Sequence, residues 1–320
     1  MKLVSVKKGT ESKLGVKITE GIIDMEAAQN ANPDRSVPTS IMEVIQGGTE
    51  SLKSLQHFIE EVKDPSAYLV NEDEIAWGPC VTAPNKIICV GLNYRKHADE
   101  TNAPYPEVPI LFNKFNNTLT GHKCKIAVPK VTNKLDYEVE LGVVIGKRAK
   151  YISQEDALDY VLGYCTVNDL SARDLQMRTP QWLLGKSCDD FSPVGPYLVS
   201  ADEIDDPQNL NLTTIVNGEI RQNSNTSDMI FTVAEIISYI SQHMTLEPGD
   251  LILTGTPEGV VLGYPEDKQI YLKPEDTVTV EIEKLGALTN RFVEEVIVPN
   301  QRNLEKETVG GVGSSTNVSS

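Results

Sequence analysis

The sequence predicts a β-rich α+β protein with few helices. Three observations lead there. Between residues 84 and 297, apolar runs of strand length recur, separated by Gly, Pro, Asn and Asp. Only two helical patterns interrupt them. Strands and helices do not alternate regularly, which argues against a doubly wound parallel fold.

Three zones follow along the chain. Residues 1–82 form a small N-terminal α/β domain: short segments (Leu14–Ile18, then Ile22 and Ile23) precede two helical patterns. In the second of these, Leu52, Leu55, Ile59 and Val62 recur at helical spacing, with Thr49 as N-cap. Pro79 and Pro84 bracket a linker. Residues 84–297 are the main domain, with strands expected at 87–90, 139–145, 164–167, 210–216, 251–253, 278–282 and 291–296. Val216-Asn217-Gly218-Glu219 reads as a two-residue hairpin, because Asn-Gly tolerates the positive φ of a type I′ turn. A helix is expected from Ser153 to Gly163, and another after Thr232, whose Glu235 completes a capping box. Residues 298–320 end in GGVGSSTNVSS and read as a flexible tail; no strand or helix flanks those glycines to make a phosphate loop.

Composition bounds the function. The length suits one large or two average domains. A hydrophobic share of 40% and a charged share of 23% fit a soluble protein with a sizeable core. No apolar run approaches the ~18 residues of a membrane helix, and the start turns polar too early for a signal peptide. A net charge of −17 argues against nucleic acid or an anionic membrane as partner, since both repel such a surface. A small anionic substrate would need a bound metal or local Lys/Arg. The five cysteines are scattered singly with no CxxC, which points to free thiols in a reducing cytoplasm.

The most informative stretch is Asp136-Tyr137-Glu138-Val139-Glu140-Leu141-Gly142-Val143-Val144-Ile145. A period of two makes it a strand with its apolar series on one side. Glu138 and Glu140 then share the other side, roughly 7 Å apart. Such a pair is either a solvated edge or a seat for a cation. Asp169 follows the strand that ends near Val167, and is either a helix cap or a third ligand. If the three converge, the all-oxygen set favours Mg²⁺, Mn²⁺ or Ca²⁺ over Zn²⁺.

Of four histidines, His57 and His243 lie on helical patterns and His122 sits in a loop without a supporting pattern. His97 differs: Glu100 is three residues on, so one helical turn brings the two together. A carboxylate beside an imidazole fixes its tautomer and suits a general base, although an exposed helical turn would look the same. The segment Ala103–Pro109 is too Pro-rich for a helix and reads as a hinge. Lys186, in a Gly/Ser/Pro loop, and the Gly255–Gly259 turn are weak signals alone.

In this order the segments GLNYRKHADE (91–100), DYEVELGVVIG (136–146), NDLSARDLQ (168–176), GKSCDDFSPVGP (185–196), VNGEIRQ (216–222) and LILTGTPEGV (251–260) resemble the fumarylacetoacetate hydrolase family. The resemblance implies a mixed β roll or barrel-like sandwich, usually a homodimer, with residues 1–82 as an accessory domain. It implies one Mg²⁺ or Mn²⁺ per chain held by Glu138, Glu140 and Asp169, and a His97–Glu100 dyad on a lid. Lys186 falls at a catalytic position, and Gln176 and Thr256 at substrate-contacting ones. One departure is visible: many relatives continue the last turn as Gly-Val-Gly, whereas here Val260-Val261 replaces the final glycine, which puts close backbone approach to the ligand in doubt. The implied substrates are small anionic 2-oxo acids. Acylpyruvate hydrolysis at a C–C bond leads, followed by oxaloacetate decarboxylation and isomerisation of an unsaturated 2-oxo diacid. A metal-binding protein without turnover is the rival from another class.

Overall fold

The computed structural model describes residues 1–296, apart from 35 and 63. The expected tail at 298–320 lies outside the described residues.

Among the described residues the main sheet has 11 strands. Its order runs Leu69–Val70, Gly21–Asp24, Glu11–Ile18, Lys2–Lys8, Ser192–Ser200, Val161–Asn168, Val139–Ile145, Leu251–Leu253, Ile87–Gly91 and Ile110–Lys114, with Leu119–Thr120 beside Ser192–Ser200. Neighbours along this order are antiparallel except Leu251–Leu253 and Ile87–Gly91, which are parallel. A second sheet of five strands runs Glu219–Asn225, Asn211–Val216, Thr277–Ile282, Gly286–Glu294 and Lys125–Val128. The hairpin at Asn217-Gly218 joins its first two strands, and both residues take the positive φ that such a turn demands (50° and 86°).

Two cores cover the faces of the main sheet. Val139, Leu141, Val143 and Ile145 pack with Leu212, Val280, Leu288 and Phe292 of the second sheet, and with Ile236, Ile237 and Ile240 of the helix Val233–His243. Val144, Leu162, Cys165 and Val167 pack on the other side with Leu3, Ile41, Val44, Ile45 and Leu55. The apolar alternation of Val139–Ile145 thus faces one core as its period requires. Gly142 and Val144, in register with Glu140, face the other.

The structure amends three readings of the sequence. Residues 1–82 add strands to the main sheet and share its second core, because Lys2–Lys8 pairs with Ser192–Ser200. The linker between Pro79 and Pro84 therefore does not separate two sheets. The helix expected from Ser153 to Gly163 is one 3₁₀ turn, Ala157–Tyr160. Ser153 does accept from the Asp156 N–H, but pairing with Val139–Ile145 takes the chain into a strand from Val161. The helix Ile41–Glu61 is kinked at Gly48 (φ 59°), one residue before the expected cap Thr49. Its first segment is capped by Ser40 and Glu43 in a capping box.

The thiols are free, with Cys80, Cys89 and Cys165 buried. No helix among the described residues is long and apolar enough to cross a membrane.

Candidate active site and metal centre

The three predicted carboxylates meet because two neighbouring strands are antiparallel. Val139 pairs with Asn168, so Glu138 at the start of one strand lies beside Asp169 at the end of the next. The Asp169 N–H donates to the Glu138 carbonyl (2.9 Å), and the Glu138 N–H to Asn168 Oδ1 (3.0 Å). One oxygen each from Glu138, Glu140 and Asp169 lies within 4.8 Å of the others. All three residues are at most 4% exposed. A solvated edge is thereby excluded.

Buried carboxylates need counter-charges. Lys186 Nζ bridges Glu138 Oε2 (2.6 Å) and Asp169 Oδ2 (2.7 Å). Lys114 Nζ pairs with Asp169 Oδ1 and donates to the Phe191 carbonyl (2.6 Å). Arg173 NH2 stands 2.7 Å from Glu138 Oε1, and its Nε donates to Asp136 Oδ2 (2.9 Å). Four acidic groups thus face three basic ones, and Glu140 is the one left over: among the described residues it accepts only from the Gly255 N–H (2.8 Å). Burial, then the charges of Asp169 and Glu138, push its carboxyl well above the ordinary carboxylate range. Burial also acts on Glu138, but Lys186 and Arg173 outweigh it and hold that carboxyl at about 2. Burial opposes the charge of Lys186 too, yet Asp169 and Glu138 raise its pKa above the ordinary lysine value.

This donor set fits a hard divalent cation. It offers three convergent carboxylates, one of them without a basic partner. A carboxylate oxygen already accepting from an ammonium keeps a second lone pair for an ion. Charge favours occupancy as well, since with Glu140 ionised the cluster carries one negative charge in excess, which a cation would offset.

The predicted dyad is formed. His97 and Glu100 lie on the helix Arg95–Glu100, with Nδ1 and Oε1 2.8 Å apart. Glu100 Oε2 accepts from the Gly259 N–H (3.0 Å), which pins the helix to the 259–265 strap. Nδ1 is thus engaged, and Nε2 is the nitrogen left to work. A cavity of about 680 Å³ is bordered by His97, Glu100, Glu138, Glu140, Lys186 and Thr256. Asp169 sits behind that wall. Gln176 also borders the cavity and accepts from Arg173 NH1 (3.0 Å); Thr256 Oγ1 accepts from Gln222 Nε2 (2.9 Å).

The strap explains the departure at Val260-Val261. Both valines are fully buried, and it is Gly263 whose backbone lies close against Glu100. A Cβ there would lie 2.5 Å from Glu100 Oε2. Asp136 anchors the strap by accepting from the Val261 (2.9 Å) and Leu262 (3.0 Å) N–H groups.

Sequence reasoning missed Lys114, Arg173, Asp136 and Gln222. A charge ending the apolar run Ile110-Leu111-Phe112 was the available signal for Lys114. The other histidines stay outside the site. His57 and His243 are exposed, while His122 packs edge-on to Trp77 (4.9 Å) and accepts from the Thr289 N–H (3.0 Å).

Residues 86–293 match the family model for the C-terminal domain of fumarylacetoacetate (FAA) hydrolase. The chain belongs to the fumarylacetoacetate hydrolase family. Among its relatives, "Oxaloacetate tautomerase fahd2, mitochondrial" of Xenopus laevis is 41% identical over 88% of this chain and 86% of that protein. The fumarylacetoacetate hydrolase structure from psychrophilic Exiguobacterium antarcticum superposes with a TM-score of 0.77 at 33% identity, covering 92% of this chain and all of that one. The maleylpyruvate hydrolase of Sphingobium sp. SYK-6, solved with manganese(II) and pyruvate, gives 0.74 at 28% identity, covering 92% and 100%.

Proposed function

We propose that this chain interconverts the keto and enol forms of a small 2-oxo acid, oxaloacetate being the first substrate to test. The observation that carries the reading is the His97–Glu100 dyad, which shares one cavity with Lys186 and the carboxylates. A divalent ion held by Glu138, Glu140 and Asp169 would supply a Lewis acid for the 2-oxo oxygen. The maleylpyruvate hydrolase structure with manganese(II) and pyruvate supports that choice of ion and ligand class.

The chain's own residues account for the proton. Glu100 holds the His97 Nδ1–H, which leaves Nε2 as the base. The C3 proton passes to Nε2. The C–H electron pair becomes the C2=C3 double bond, and the carbonyl pair moves onto the 2-oxo oxygen. The Lys186 ammonium offers positive charge where that charge develops. Water then protonates the oxygen and His97 returns its proton to solvent, so the enzyme ends as it began. Carboxylates 138 and 169 keep Lys186 charged and in place.

Acylpyruvate hydrolysis is a second reading on the same residues, with the dyad activating water. The cavity volume favours it, because about 680 Å³ exceeds what a four-carbon diacid fills. A binding protein without turnover has no use for the dyad.

Enol decay of oxaloacetate in Mn²⁺-loaded protein, with and without EDTA, tests the reading. His97→Ala should keep Mn²⁺ affinity and lose about 10²–10⁴ in rate, the worth of a general base. Undiminished rate in that variant overturns the assignment. Pyruvate release from acetylpyruvate without any tautomerase activity selects the hydrolase instead.

A further inference from the structure

The cavity is larger than its reacting end requires, and part of its wall is apolar. Its volume of about 680 Å³ lies within the ~300–1,000 Å³ of pockets that enclose drug-sized ligands. Three basic side chains border it, and each is already paired: His97 with Glu100, Lys186 with Glu138 and Asp169, Arg173 with Asp136 and Glu138. All three stand at the reacting end, beside the carboxylates, within reach of a four-carbon diacid; among the described lining residues no further lysine or arginine is left for a carboxylate at the end of a longer tail. Burying such a group unpaired is unfavourable, whereas apolar surface gains by leaving water.

The apolar part of the wall is built around an aromatic corner. Trp182 caps the short helix Leu183–Lys186, and the Lys186 N–H donates to its carbonyl (3.2 Å). The indole therefore stands one helical turn from the ammonium. Its ring lies against Gly91, where a Cβ would come within 2.5 Å of Cζ3. Phe112 meets it edge-on, with centroids 5.3 Å apart at 70°, and the Phe112 ring lies 5.0 Å from Lys186 Nζ. Met177 and Leu92 continue the surface. Aromatic rings accept a further ring in such a corner by stacking or edge contact.

We propose that the enzyme also takes 2-oxo acids bearing an apolar aromatic group on C3, that is arylpyruvates, with the ring received by Phe112 and Trp182. This rests on the reaction proposed above. The C3 proton goes to His97 Nε2, the C2=C3 bond forms, water protonates the 2-oxo oxygen, and His97 releases its proton to solvent.

Phenylpyruvate and oxaloacetate tautomerisation by Mg²⁺-loaded protein, together with a binding readout, test it. The chain has two tryptophans, Trp77 and Trp182. In Trp77→Phe protein the remaining fluorescence reports the corner directly. Phenylpyruvate should be turned over and should quench that fluorescence, at concentrations about tenfold or more below those needed by 2-oxoadipate, whose tail ends in a carboxylate. Trp182→Ala should lower the phenylpyruvate-to-oxaloacetate ratio of kcat/KM by about tenfold or more; Phe112→Leu gives the same direction should the first variant not fold. Quenching with no turnover of either acid removes the reaction and keeps the subsite. Oxaloacetate turnover without phenylpyruvate turnover or quenching overturns the subsite and keeps the reaction. An unchanged ratio in both variants overturns the corner's role.

Discussion

Gly263→Ala separates the geometry of the dyad from the stability of the fold. The new Cβ would lie 2.4 Å from Glu100 Cδ, 2.5 Å from Oε2 and 2.8 Å from Oε1, whereas ordinary contact begins at 3.4 Å. The carboxylate must therefore retreat by about 1.0 Å, the difference between 3.4 and 2.4 Å. It is the end of a flexible side chain, so it moves without disturbing the core. The retreat breaks the 2.8 Å contact with His97 and the 3.0 Å bond from the Gly259 N–H. Misplacement of a catalytic group by ~1 Å costs on the order of 10² in rate, or about 2.7 kcal/mol of barrier. Stability should change little, since the ~0.4–1 kcal/mol that Gly→Ala gains through the unfolded chain offsets part of the loss of the Gly259 N–H bond to Glu100. Steady-state kinetics, a thermal melt and Mn²⁺ titration calorimetry read the three quantities separately. Wild-type kcat/KM with an unchanged melt would refute the reasoning, because Glu100 would then have no positional duty. Loss of the fold or of Mn²⁺ affinity would refute it too, by showing the strap to be structural.

Other outcomes follow from the charges. Glu140→Gln should abolish tight Mn²⁺ binding yet raise the melting temperature of metal-free protein, because it removes the buried carboxylate that has no basic partner; calorimetry and a melt in EDTA check both signs. Lys114→Met should cost about 3–5 kcal/mol in urea unfolding, since it strands Asp169 with one partner fewer in the interior. His122 is held at about 4, first by burial and then by Lys123, below its ordinary 6.5. Its depressed value means the unfolded chain takes up a proton first. Stability is full above pH ~6.5 and declines as pH falls toward 4. His122→Asn, which keeps an acceptor for the Thr289 N–H, should flatten the melting-temperature profile in that window, and an unaltered profile would count against the assignment.

The parts of the site that could be read in advance are those with local periodicity. Glu138 and Glu140 announced a shared face through a period of two, and His97 and Glu100 through one helical turn. The third carboxylate, Asp169, was legible only as an alternative to a helix cap. Lys114, Arg173 and Asp136 were not legible because buried ion pairs leave no local pattern: Arg173 finds Asp136 37 residues away, and Lys114 finds Asp169 55 away. The failed helix after Ser153 has the same origin. Its cap signal is real, but partners across the sheet decide the conformation from Val161 onward. The burial of Glu138 and Glu140 was equally hidden, since a strand covered on both faces by distant segments looks half-polar in isolation.

The strand Leu251–Leu253 sits between Val139–Ile145 and Ile87–Gly91, though it is made long after both. During synthesis the strand that joins them is therefore missing until residue 253 has been made. Two hydrogen-bonding edges stay open on the nascent protein meanwhile, the kind of surface that other chains pair with. A product truncated before residue 251 would lack both the joining strand and the strap, which makes it a candidate for chaperone capture.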